Sequence, residues 1–359
     1  MPSRIRVLVV GCGHMGASHA KAYLRRSDAF EIVGLVSRTA PSRQALNRLL
    51  ATSIREFDDY FVALAATKPD AVCISTYPDS HAVYVLAALE SGADVFVEKP
   101  LAETIADCER IKATALRLGR KVVVGYILNV HPSWQRFVEI AQGLGRPLVM
   151  RMNLNQQSSG ANWETHKRIL GSLSPLVDCG VHYVDVMCRM TGARPMRVSA
   201  IGARLADDIA RDQVNYGQLQ VTFDDGSVGW YEVGWGPMMS ETAFFIKDVV
   251  GPKGCVSMVP RYAGKSGNSA DVEQHTKGES LRVHHAQLST EGKFVHQDDV
   301  LDVSNEPDHD GLCLLEQEMF LGAIRGEQDM TGHLQGAIDS LRIVLAADRS
   351  WREGKTITL

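Results

Sequence analysis

Residues 5–16 read IRVLVVGCGHMG, an apolar, β-branched run that breaks directly into glycines at positions 11, 13 and 16. Each glycine has a physical reason. Gly11 permits a tight turn from strand to helix, Gly13 removes a Cβ where backbone would approach a phosphate, and Gly16 lets the next helix close on the strand. Residues 17–24 are expected to be helical, and the free N–H groups at the start of that helix would face an anion. A dinucleotide pyrophosphate fits such a place, with His14 and Met15 inside the loop among its contacts.

The first third of the chain keeps a strand–helix rhythm. Apolar runs at 31–36, 71–75, 95–97 and 121–125 alternate with helix-like segments at 42–51, 58–66, 80–91 and 104–118. That alternation is the pattern of a doubly wound parallel sheet, a Rossmann dinucleotide-binding domain. Beyond residue 126 the pattern changes. Extended stretches at 214–223 and 228–235 flank Asp224-Asp225-Gly226-Ser227, a hairpin signal, and 242–250 and 255–259 flank Gly251-Pro252-Lys253-Gly254. The second part is therefore expected to hold an antiparallel or mixed sheet with helices on one side. Residues 261–280 are rich in Gly, Ser and Lys and read as an exposed loop, 312–324 and 335–351 as helices, and 354–358 as a last short strand. At 359 residues the chain exceeds what one core usually serves, so two domains are expected, 1–125 and 126–359, with the last helix a candidate to pack back on the first.

Composition excludes several classes. A net charge of −4 with 22% charged residues is neither the basic footprint of a nucleic-acid binder nor the make-up of a disordered chain. No apolar stretch approaches the roughly 20 residues that span a bilayer. Arg4 and Arg6 ahead of a short apolar run imitate a signal peptide, but the run ends in Gly-Cys-Gly-His without a small-residue cleavage pattern. A cytoplasmic protein with no membrane partner is expected. The seven cysteines are scattered, odd in number and without metal-ligand spacing, so reduced, mostly buried thiols and no metal are expected. His284 and His285 are adjacent in an extended stretch and so point to opposite faces, which suits no single ion.

The stretch after the second strand bears on the coenzyme. An acidic residue there would hold the ribose hydroxyls of NAD, whereas NADP needs donors and positive charge. Residues 32–55 contain no acid but do contain Arg38, Arg43, Arg48 and Arg55. Ser37 and Arg38 can donate to a 2′-phosphate, so NADP is favoured over NAD, with Arg48 and Arg55 read as the solvated face of the next helix.

Two further motifs carry chemistry. Glu98-Lys99-Pro100 follows a strand and so stands at the carboxyl edge of the sheet, where ligands of open α/β folds bind. In Asp178-Cys179-Gly180-Val181-His182, the aspartate and histidine are one helical turn apart, and a carboxylate beside an imidazole supports proton transfer. With Ser75-Thr76, Pro78 and His81, Gly125-Tyr126, His131-Pro132 and Ala346-Ala347-Asp348-Arg349-Ser350, these elements resemble the glucose-fructose oxidoreductase, inositol dehydrogenase and MocA (Gfo/Idh/MocA) family over essentially the whole chain.

The resemblance implies an α/β enzyme with a large, open, mostly antiparallel second sheet, working as a homodimer or homotetramer. It implies an NAD(P)-dependent dehydrogenase acting on a secondary hydroxyl or ketone of a cyclic polyol, sugar or sugar derivative. Lys99, Asp178 and His182 match the family's catalytic residues, with the histidine taking the alcohol proton. The coenzyme contacts implied are Gly11, Gly13, His14, Met15, Gly16, Ser37, Arg38, Ser75, Thr76, His81, Glu98, Lys99 and Pro100, the last in a peptide bond that is often cis. Tyr126, Asn129, Trp163, His166, Asp178 and His182 are the substrate candidates. Trp163 and His166 are weighed against a loop packing on the surface, and Trp235 is read as sheet core or subunit interface. Two departures stand out: Asn129 replaces an arginine common in the family, and residues 172–177 replace a glycine pair, so the substrate is less constrained than the reaction. The alternatives are a redox-assisted glycosidase and a non-catalytic dinucleotide sensor.

Overall fold

A computed structural model describes residues 3–240, 245–260 and 276–359. The chain forms two compact units, Met1–Val130 with Pro307–Ile338 and His131–Glu306 with Asp339–Leu359.

The first unit runs β1 (Ile5–Val10), α1 (His14–Arg25), β2 (Phe30–Val36), α2 (Ala40–Leu50), β3 (Glu56–Phe57), α3 (Tyr60–Thr67), β4 (Ala71–Ile74), α4 (Pro78–Glu90), β5 (Asp94–Glu98), α5 (Ile105–Leu118) and β6 (Val122–Gly125). A 3₁₀ turn follows at Ile127–Asn129. The six strands lie in the order β3-β2-β1-β4-β5-β6, all parallel. Central parallel strands are covered on both faces, which is why they read as unbroken apolar runs. Val7, Leu8, Val9, Cys73, Phe96 and Val123 are fully buried accordingly. Local signals mark the helix ends: Thr104 Oγ1 accepts the Asp107 N–H at the start of α5, and Gly119 closes it at φ +63°.

The second unit holds α6 (Pro132–Gly143), β7 (Val149–Gln157), α7 (Gly160–Leu170), α8 (Pro175–Asp178), α9 (Gly180–Thr191), β8 (Pro195–Ala203), β9 (Tyr216–Phe223), β10 (Val228–Gly236), β11 (Lys247–Gly251), β12 (Gly254–Pro260), β13 (Gly278–His285) and β14 (Asp299–Asp302). The chain then supplies α10 (His309–Arg325), α11 (His333–Glu353) and β15 (Ile357–Thr358). The nine-stranded order is β14-β13-β12-β11-β7-β10-β9-β8-β15, antiparallel throughout except where β7 runs beside β10. The large, mostly antiparallel sheet is therefore present. Both expected hairpins form, β9–β10 with Val228 opposite Thr222 and β11–β12 with Gly251 opposite Gly254.

Several local expectations need correction. Of the strand expected from 242, residues 241–244 lie outside the described residues, 245 and 246 are not strand, and β11 opens at Lys247. Of the loop expected at 261–280, residues 261–275 also lie outside them, and Gly278 already opens β13. Trp163 and His166 are buried on α7, not on a surface loop, because the helix turns its apolar side inward. Trp235 is wholly buried in β10, as sheet core.

α10 belongs to the first unit. Phe320, Leu321 and Ala323 complete the core made by Val7, Tyr23, Phe30, Phe96 and Val123. Its N-cap is Asp308, whose carboxylate accepts the Gly311 N–H at 2.8 Å, and Gly326 ends it at φ +71°.

Candidate functional site

Because the six strands of the first unit are parallel, the residues that follow each strand share one edge of the sheet. This brings together the glycine loop after β1, Ser37 and Arg38 after β2, Ser75 and Thr76 after β4, Lys99 and Pro100 after β5, and Tyr126 and Asn129 after β6.

Sterics separate the roles of the three glycines. Gly11 sits at φ +99°, and a Cβ there would come within 2.3 Å of the Ser75 carbonyl oxygen. At Gly16 a Cβ would meet the Gly11 carbonyl oxygen at 1.9 Å. Both are needed by the protein itself. A Cβ on Gly13 would meet nothing within 4 Å, so the protein's own packing does not require a glycine there. Gly13 is also the N-cap of α1, whose first turn carries no acid and no side-chain cap, leaving its N–H groups for an anion.

Around the second strand, Arg38 is exposed and Ser37 half-buried. The Arg43 guanidinium donates to the Ser37 carbonyl and lies 3.4 Å from Glu56 Oε2. Glu56 stands on β3 beside Leu35 of β2, and its other oxygen accepts from the Asn47 amide at 2.9 Å. An acid therefore lies next to the acid-free stretch in space, with its charge engaged by Arg43.

The Lys99–Pro100 peptide bond is cis, and Lys99 is half-buried. Glu98 and His81, both expected to touch the coenzyme, are turned inward. His81 is fully buried, with Nδ1 2.8 Å from the Pro100 carbonyl and Nε2 3.1 Å from that of Thr76. Burial pushes its pKa down, so the neutral ring donates to one carbonyl at a time. Glu98 Oε1 lies 2.8 Å from His19 Nε2, and its Oε2 accepts the Lys99 N–H at 3.3 Å. His14 opens α1 and is exposed, its ring 5.3 Å from that of His309, and Met15 is half-buried.

His19, Cys313 and Glu316 place three metal-ligating atoms within 4.8 Å of one another, all buried. Both nitrogens of His19 are engaged, however, Nε2 by Glu98 and Nδ1 by the Gln317 amide at 3.0 Å, so the imidazole offers an ion no lone pair in this arrangement. Burial first, and then the charge of Glu98, hold the Glu316 carboxyl far above the usual carboxylate range, making it a neutral acid. All seven cysteines are free thiols, and burial pushes Cys12 up to about 11.

In the second unit the expected single helix at 178–185 is two. Asp178 closes α8 and His182 lies in the first turn of α9, while Cys179 between them keeps right-handed helical backbone, so the one-turn spacing survives. Asp178 and His182 are half-buried. His166 Nδ1 is 3.0 Å from Ser158 Oγ, and its ring stacks on Trp235 at 4.5 Å and 15°. Burial lowers its pKa to about 4, opposed in part by the charge of Asp178, which places that carboxylate in its neighbourhood. Trp163 Nε1 donates to Asp208 at 2.9 Å. Cys179 Sγ donates to Gln156 Oε1 at 3.5 Å. Tyr126 is buried, and the Asn129 N–H donates to its carbonyl at 2.7 Å.

Sequence reasoning missed His19, Gln317, Glu56, Gln156 and Ser158. The partners of His19, Gln317 and Gln156 lie 23 or more residues away, so no local spacing marks them. His284 and His285 each face a different aspartate, Asp298 and Asp299, at 2.8 Å, as opposite strand faces require.

These features define an NAD-binding Rossmann unit and an α/β unit. The profile of an oxidoreductase family with an NAD-binding Rossmann fold matches residues 5–126, and that of the same family's C-terminal alpha/beta domain matches residues 139–359. The chain belongs to this family, the Gfo/Idh/MocA oxidoreductases. Among curated relatives it is 26% identical over 186 residues to inositol 2-dehydrogenase of Klebsiella pneumoniae, covering 51% of this chain and 53% of that one. It is 32% identical over 148 residues to inositol 2-dehydrogenase 3 of Saccharopolyspora erythraea, covering 40% and 43%. The chain spans about half the length of the curated relatives it matches. Solved structures share the fold throughout. The WlbA dehydrogenase of Bordetella pertussis, in complex with NADH and UDP-GlcNAcA, superposes with a TM-score of 0.76 at 21% identity, covering 99% of each chain. An oxidoreductase of Desulfitobacterium hafniense described as putatively NADPH-dependent gives 0.78 at 19%, covering 100% of this chain and 98% of that one. No helix among the described residues is long and apolar enough to cross a membrane.

Proposed function

We propose that this chain is an NAD(P)-dependent dehydrogenase or reductase that interconverts a secondary hydroxyl and a ketone on a polyol, sugar or sugar derivative. The observation that carries the reading is the shared edge of the parallel sheet, where the open Gly13 cradle and Lys99 stand in one unit. The cradle fits a dinucleotide: Gly11, Gly13, Gly16 and the start of α1 would hold its pyrophosphate, and Ser37 and Arg38 would meet its adenosine ribose. When bound, the nicotinamide supplies the hydride acceptor or donor.

The residues supply the rest. Loss of hydride from a carbinol carbon yields a ketone only if the hydroxyl also loses its proton. His182 is assigned that proton, and Asp178 is assigned to orient the imidazole and the substrate hydroxyls. Lys99 is assigned a hydrogen bond to the reacting oxygen, stabilising it as charge develops. NADP is the preferred coenzyme on this reading. Ser37 and Arg38 are available as donors, and the nearby Glu56 carboxylate is engaged by Arg43.

The names of the relatives set the order of a substrate panel: myo-inositol and other cyclic polyols first, then hexoses and UDP-linked amino sugars. Purified protein with NADP or NAD should change absorbance at 340 nm, the reduced nicotinamide band, with at least one of them. Tight coenzyme binding without turnover on the panel would overturn the dehydrogenase reading in favour of a dinucleotide sensor. Glycoside cleavage without net coenzyme turnover would overturn it in favour of a redox-assisted glycosidase.

A further inference from the structure

We propose that His19 and Gln317 are positioning residues for Lys99, acting through the Glu98 carboxylate on the backbone from which the lysine side chain extends. The inference rests on the role assigned to Lys99 above.

Donors and acceptors along this path have one consistent assignment. Gln317 Oε1 can only accept, so the Tyr23 hydroxyl donates to it, at 2.6 Å. That fixes the amide, whose Nε2–H donates to His19 Nδ1 at 3.0 Å. His19 must then carry its proton on Nε2, and donates it to Glu98 Oε1 at 2.8 Å. The remaining Glu98 oxygen accepts the Lys99 N–H at 3.3 Å. Every link except the last is buried, and Glu98 itself is 8% exposed, so its carboxylate is committed inward rather than offered to a ligand. On the other side of the lysine, His81 Nδ1 lies 2.8 Å from the Pro100 carbonyl. The Lys99–Pro100 corner thus has Glu98, held by His19, on one side and His81 on the other.

The path also crosses a long span of sequence. Gln317 lies on α10 and His19 on α1, 298 residues apart, so the helix that returns to the first unit sets the tautomer on which the lysine corner depends. The amide satisfies the buried Tyr23 hydroxyl and His19 Nδ1, and in doing so fixes the direction of the path.

Amide hydrogen exchange tests this without a substrate. In His19→Leu and Gln317→Leu, exchange of the Lys99 N–H should accelerate about tenfold, the factor that accompanies loss of one hydrogen bond, while Val95, Phe96 and Val97 of β5 stay protected. His19→Gln, whose side-chain amide can still donate to Glu98, should restore most of the protection. Should the leucine variants fail to fold, Glu98→Gln removes the carboxylate while keeping its shape, and should accelerate Lys99 alone in the same way. Unchanged Lys99 exchange, or acceleration of the whole strand together, would overturn the proposal. Failure of the underlying reading shows elsewhere: Lys99→Met would turn over like wild type.

Discussion

Lys247 opens β11 at 2% exposure, and its ammonium donates to the Asn153 carbonyl on β7 with the Phe245 ring at 4.2 Å and the Tyr183 ring at 5.3 Å. Burial alone drives its pKa down from 10.5 to about 7. Between those two values the unfolded chain holds a proton that the folded protein does not, so stability rises with pH across that window and is lowest below it. At about 1.4 kcal/mol per tenfold, the full penalty at low pH is roughly 5 kcal/mol, of which about 2 kcal/mol is relieved between pH 7 and pH 9. Lys247→Met keeps the length and apolar stem but cannot titrate. Urea unfolding of both proteins at pH 7 and pH 9 should show the variant gaining on wild type at pH 7 by about 2 kcal/mol more than at pH 9. Loss of the bond to Asn153 enters equally at both pH values and cancels from this difference. A stability difference that is the same at both pH values would refute the reasoning.

Other outcomes follow from the glycine loop and the assigned residues. Gly16→Ala should cost at least about 2 kcal/mol of stability, because its Cβ would meet backbone at 1.9 Å, whereas Gly13→Ala should leave the melting temperature nearly unchanged and weaken coenzyme binding about tenfold or more. Isothermal titration with NADPH and thermal denaturation separate the two. Ser37→Asp should move the ratio of NADP to NAD affinities toward NAD by about tenfold or more, through repulsion of a 2′-phosphate; an unchanged ratio would place phosphate recognition elsewhere. Lys99→Met and His182→Asn should each lower kcat by about a hundredfold or more while the Kd for coenzyme stays within about threefold.

The parallel sheet was legible because its central strands are buried on both faces and leave continuous apolar runs at 71–74 and 95–97. The hairpin at 224–227 was legible because turn chemistry is local. The insertion of β7 between β10 and β11 was not, since strand order depends on partners that no spacing encodes. Lys99 and the Asp178/His182 pair stood out because the residue types carry chemistry at short spacing. The inward partners of Glu98 and His81, which are His19 and the Pro100 carbonyl, were not legible for the opposite reason: they lie 79 and 19 residues away. Glu56 shows the same limit. A stretch free of acids in sequence acquired an acidic neighbour through a two-residue strand, β3, too short to leave a pattern.

The return of α10 to the first unit bears on the order in which the protein can be made. When residue 130 leaves the ribosome all six parallel strands exist, but the core around Tyr23, Phe30 and Phe96 still lacks Phe320, Leu321 and Ala323. At about 5–20 residues per second, the nascent dinucleotide half therefore waits on the order of ten seconds or more with an apolar face uncovered. A fragment ending at residue 130 would keep that face open permanently. The chain cannot be divided after its sixth parallel strand, and chaperone contact during synthesis is expected on the glycine-loop unit rather than on the unit that emerges later.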